Sequence, residues 1–265
     1  MNRFFINRLI RRKLFFLSMG IGTLLCVFHV VWDVILPGNL YRETVYTKWI
    51  EALSSSELQS LFFMLLPILS AMAMAELYLA DQKSGYLNVL VSRADRRRYF
   101  RSLYICNFVA GGLCILIPLA VNLYACFLVC PDRTPDLLAE GTNAVSYYGQ
   151  DTLFAALYYT HPFLHVCLYL FLGFLAAGIF ASFALALSFF VPSRFLVWIG
   201  PYAINYLYIS LMLALTGKGN YALLSVCVQQ GSQVTLKLAC GVIGLWLLAV
   251  SCLYGIGVKK RVPIV

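Results

Sequence analysis

Apolar residues fall along this chain in long runs separated by short polar stretches. The runs predict membrane-crossing helices over about residues 14–36, 58–80, 103–130, 163–191, 195–215 and 236–258. Each is long enough for a bilayer core, which takes about 20 helical residues. The first, 23 residues from Leu14 to Leu36, extends about 34 Å at the α-helical rise. It has no small-x-small cleavage site before the next polar stretch, so it reads as an uncleaved span rather than a signal peptide. Pro67 predicts a kink in the second run, and Pro118 interrupts the third. Ahead of the spans, residues 1–13 alternate cations with Phe4, Phe5, Ile6, Leu9 and Ile10, a pattern suited to a helix lying in the headgroup region. The chain therefore divides into an interfacial amphipathic helix, 1–13, and a six-helix transmembrane domain, 14–265. The expected fold is all-α. Residues 217–236 have an apolar middle too short to span and read as a half-helix dipping in from the outer side.

The polar stretch from Asp81 to Arg101 has internal organisation of its own. Apolar positions 86, 87, 89, 90 and 91 wrap a short amphipathic helix with one face for a partner. Ser92 stands three residues before Asp95, a capping-box spacing that places Asp95 in the first turn of a new helix. The cations of RRRYFR then lead into the third span.

Only 12% of the 265 residues are charged, about half the share of a soluble domain, so most of the chain must face lipid or other helices. The formal charge of +9 does not indicate nucleic acid, because its distribution follows topology. With six spans and both termini inside, 15 of the 20 cations fall on the inner side and five on the outer. The nine cysteines sit mostly within apolar runs and act as small hydrophobes. Cys130 and Cys227 fall on the outer side, where pairing is open to them, and no CxxC occurs.

Candidate chemistry is sparse. Glu76, one turn before Asp81, is either a functional intramembrane carboxylate or one paired with a nearby Arg. His29 and Asp33 have the i, i+4 spacing of a proton relay and equally of a polar patch or an interfacial pair. His161 and His165 share that spacing and read as an outer-interface pair, since a metal or haem site needs further ligands and only His29 remains. TGKGN at 216–220 lacks the spacing of a phosphate loop. Gly178, Ser182 and Ala186 make a small-residue stripe that favours close helix approach. Tyr124, Tyr169, Tyr202, Tyr206 and Tyr208 are placed to line an amphipathic route or to face lipid.

The basic interfacial start, the six spans, and the run Glu76, Asp81, Gly85, Tyr86 to Val91 and Arg93 to Arg101 together resemble the permease subunit of ABC transporters of the second exporter type. The resemblance covers the whole layout. It implies a non-catalytic membrane subunit that pairs with a second copy or a paralogue and docks on separate ATPase chains, which hold the ATP and Mg. It implies that the cell (plasma or inner) membrane is the location, with no cofactor bound by this chain itself. The docking residues it implies are Gly85, Tyr86, Leu87, Asn88, Leu90, Arg93, Asp95, Arg96 and Arg97 on a cytoplasmic coupling helix, with Glu76 and Asp81 as the acidic element. An exported hydrophobic or amphipathic substrate (peptide, lipid or drug) would then pass near His29, Asp33, Tyr124, Tyr202 and Tyr206. An ion-coupled carrier using His29, Asp33 and Glu76 is the alternative, and an intramembrane haem or metal protein a third.

Overall fold

The computed structural model describes residues 2–37, 44–52, 56–87, 89, 95–135, 152–217, 219, 221–229 and 234–261. Among these residues there is no strand, and six helices are long and apolar enough to cross a membrane. The chain begins with α1 (Asn2–Ile10) and α2 (Lys13–His29), which continues into a π-helical turn over Val30–Ile35. A short α3 (Val45–Lys48) precedes α4 (Glu57–Met74) and α5 (Leu77–Lys83), which together make the second span. The long α6 (Arg96–Val129) is the third span. A one-turn α7 (Ala155–Thr160) leads into α8 (Pro162–Leu187), and α9 (Arg194–Thr216), α10 (Leu223–Cys227) and α11 (Leu236–Arg261) complete the order.

Local sequence explains these boundaries. Arg12 adopts an extended backbone that breaks α1 from α2. Ser56 caps α4 by accepting from the Gln59 backbone N–H, and Pro162 occupies the first position of α8, where its missing donor costs nothing. The helices run through Pro67 and Pro118, so the expected interruption at Pro118 does not occur. The second span breaks instead at Ala75–Glu76. Helix α6 starts seven residues before the apolar run, because RRRYFR is itself helical. At 34 residues it is about 51 Å long, well beyond a bilayer core of about 30 Å. Asp95 is the N-cap of α6, accepting from the Arg97 backbone N–H, and not a first-turn residue.

Helix α8 is the central strut. Every position from Ala176 to Ala186 is buried, as expected of a helix apolar on all sides. Its small residues are used differently from the expected stripe. Gly178 faces the Phe108 ring, and the closest backbone approach is Gly111 of α6 against Ala181 and the Ala177 carbonyl. A Cβ on Gly111 would lie 2.2 Å from the Ala181 Cβ, so only glycine fits there. Two apolar cores result. One gathers Phe5, Tyr78, Leu87, Tyr99 and Phe189 at the end of the bundle where the cations collect, and the other Trp49, Phe62, Phe180 and Trp246.

The ends of the helices sort accordingly. Arg96 Nη2 donates to the Val258 carbonyl of α11 (2.7 Å), and α1 is paired with α5, so both chain ends lie at this basic end. At the opposite end the segment 44–52 folds inward. The Ile50 N–H donates to Asn122 Oδ1, and Asn122 lies seven residues before the end of α6. The expected half-helix is the five-residue α10, whose Cys227 thiol donates to the Leu172 carbonyl (3.5 Å). That carbonyl lies about 15 Å along α8 from its start. Cys130 and Cys227 are both buried and no disulfide joins them, so the pairing left open by their shared side is not made.

Candidate functional site

The most concentrated polar chemistry among the described residues lies at the basic end, around the two carboxylates Glu76 and Asp81. Asp81 closes α5 and is 2% exposed. Arg8 of α1 meets it with both fork nitrogens, at 2.8 and 2.6 Å, and Tyr99 of α6 donates its hydroxyl at 2.9 Å. Three helices are thus joined through one carboxylate. The hydrogen bonds to Asp81 hold the Arg8 guanidinium above its ordinary pKa, against the pull of burial. The same guanidinium lies over the rings of Phe4 (5.4 Å) and Tyr86 (5.8 Å), extending the contact to the segment after the second span.

Glu76 sits in the helix break between α4 and α5. It accepts from Arg12 Nη2 at 2.7 Å, and Arg194 Nε lies 3.8 Å from its other oxygen. Burial pulls the Arg12 guanidinium below its ordinary pKa, with the Glu76 charge acting in the opposite direction. Both acidic residues are therefore spent on internal pairs rather than offered at the surface.

The docking residues inferred from the sequence are divided by the structure. Gly85 has φ +72, the left-handed conformation that favours glycine, with open space around it. It turns the chain out of α5. Tyr86 and Val89 are helical and exposed, while Leu87 is helical and buried in the basic-end core beside Phe5 and Tyr99. Asp95 and Arg97 are exposed, and Arg96 is held by Val258. Asn88, Leu90 and Arg93 lie outside the described residues, as does Ser92.

The remaining candidates do not assemble with this cluster. His29 and Asp33 are 3.7 Å apart near the other end of α2, and His29 Nδ1 also meets Asn122 Nδ2 at 3.2 Å. Seventeen residues separate His29 from Arg12, about 25 Å of helix, so Glu76 and the His29–Asp33 pair occupy opposite ends of the bundle. Asp33 lines a groove of about 420 Å³ with Trp32 and Glu57. Tyr124 and Tyr206 are exposed, and Tyr202 stacks on Tyr206 along α9. Among the described residues no group of three metal-ligating side chains is present. The expected histidine pair is split: His161 is exposed, whereas His165 is buried and bonded to the Leu153 carbonyl (2.9 Å) and Thr152 (3.2 Å).

In the sequence Arg8, Arg12 and Arg194 stand out only as inner cations. The available signal was their placement beside two carboxylates on the same side of the topology. Glu51, wholly buried at the opposite end, is likewise inconspicuous there. The lone acid within WIEAL was its mark.

Fold and charge together define a polytopic helical membrane protein. Comparisons with known protein families, with curated proteins and with solved structures find no match.

Proposed function

We propose that this chain is the membrane-spanning permease subunit of an ATP-driven exporter of the second ABC exporter type. The observation that carries the reading is the linkage at Asp81. The short segment at Gly85–Val89 leaves α5 through a glycine turn and offers Tyr86 and Val89 outward. Its Tyr86 ring lies against the Arg8 guanidinium, whose partner Asp81 binds α1 and α6 at once. Force applied to that segment would reach the first three spans through short, charged, buried contacts. In this reading the basic end faces the cytoplasm of the cell in whose plasma or inner membrane the chain sits. ATP and Mg belong to separate ATPase chains, and a second permease copy or paralogue completes the pathway. Tyr124 and Tyr206 face away from the helix bundle, so they meet substrate only where two such chains adjoin. The ion-coupled alternative would have to connect His29 and Asp33 with Glu76 from opposite ends of the bundle.

The test is co-purification with candidate ABC ATPase chains. One of them should remain bound, and Val89→Arg or deletion of 84–92 should release it. Failure of every ATPase to bind, together with export that survives the deletion, would reject the proposal.

A further inference from the structure

Glu51 stands apart from every pairing described above. It is 0% exposed, and neither carboxylate oxygen has a hydrogen-bond partner among the described residues. Its backbone carbonyl accepts from the Gln229 N–H (3.4 Å), which links the segment 44–52 to the one that carries α10. Gln229 is 1% exposed, and its side-chain oxygen and nitrogen are likewise without partners. The carboxylate presses on the bare face of Gly173 in α8, where a Cβ would stand 3.2 Å from Oε1. An ionised carboxylate sealed in this way, with no donor or cation against it among the described residues, would cost many kcal/mol, and the protonated acid avoids that cost.

We propose that Glu51 is a proton-binding latch: it is held as a neutral acid where its own segment, 44–52, and the segment 222–229 close over α8 at Gly173, and it gives up its proton when these segments lift and water reaches it. Opening of the end opposite the basic loops then releases one proton per chain. Burial alone pushes the Glu51 carboxyl well above the usual carboxylate range, and in the opened form it returns to that range. Between the two values the closed form carries the extra proton, so rising pH favours opening, by about tenfold in population per pH unit. This inference needs only the helical bundle and is independent of any ATPase.

The surrounding titratable and charged groups are Cys26 and His29 on α2, Asp33 on the π-helical turn that follows it, Lys48 on α3, Cys126 on α6, His165 and Tyr169 on α8 and Cys227 on α10. Titration of the buried His29 would act with the opposite sign, since charging on acidification would loosen the same end.

Cys227, buried in α10, is a native reporter of opening. The purified full chain in lipid nanodiscs would be treated with a polar maleimide across neutral to alkaline pH and Cys227 modification read by peptide mapping. Glu51→Gln, a neutral copy of the protonated acid, supplies the thiol's own pH dependence. The wild-type rate divided by the Glu51→Gln rate should climb with pH, by up to about tenfold per unit. A flat ratio, or a pH dependence that His29→Gln removes and Glu51→Gln leaves, would overturn the latch. Infrared spectra of wild-type protein with isotope-labelled glutamate provide a measurement that needs no variant. A protonated glutamic acid carbonyl band should be present at neutral pH, and its absence would also overturn the latch.

Discussion

Asp81 accepts three hydrogen bonds from side chains far away in sequence, and the geometry explains why Arg and not Lys stands at position 8. Only a planar fork reaches both oxygens while its face lies against Phe4 and Tyr86. Breaking the pair leaves a buried charge uncompensated. Asp81→Asn and Arg8→Gln should each destabilise the detergent-solubilised protein by about 2 kcal/mol. The double variant should lose much less than their sum, with a coupling of about 1–2 kcal/mol in a thermal-unfolding cycle. Additive losses would mean that the fork contributes nothing as a unit. These partners were half legible in the sequence. Positive-inside counting put Arg8, Arg12, Arg194, Glu76 and Asp81 on one side, but no local spacing pairs residues 73 and 64 positions apart. Glu51 was hidden for a different reason. Its segment is too short to span, so it reads as surface loop until packing against Gly173 shows otherwise.

At the scale of elements, hydropathy predicts six long apolar helices and six are present among the described residues, because lipid exposure demands such helices whatever their neighbours. It placed the start of α6 too late, since a helix continues past the hydrocarbon when its polar turns are well capped, here by Asp95. It also misread the small-residue stripe. Composition shows which residues permit close approach and not which neighbour arrives, and Gly178 received an aromatic ring. The true contact makes a sharp prediction. Gly111→Ala should force α6 and α8 apart, costing about 1–3 kcal/mol of stability, and Ala181→Gly should restore most of it. If thermal midpoints show neither loss nor rescue, the two helices do not touch there.

For the whole molecule, the pairing of α1 with α5 and of Arg96 with Val258 sets both described chain ends at the same end of the helix bundle. Single cysteines introduced at Tyr86 and Arg194 should be modified by an impermeant thiol reagent from one side of sealed vesicles, and cysteines at Phe154 and Leu215 from the other. Modification of Tyr86→Cys and Phe154→Cys from the same side would contradict the topology. The burial of every position of α8 from Ala176 to Ala186 also bears on biosynthesis. The fourth span leaves the ribosome after α2, α4 and α6 are already in the bilayer, yet α4 and α6 both pack against it. Until it arrives, the bare backbone at Gly111 and Gly112 and the ring of Phe108 face lipid instead of protein. A chain stalled before Pro162 should therefore be a substrate for membrane quality control, with the early helices inserted but not yet committed to one another.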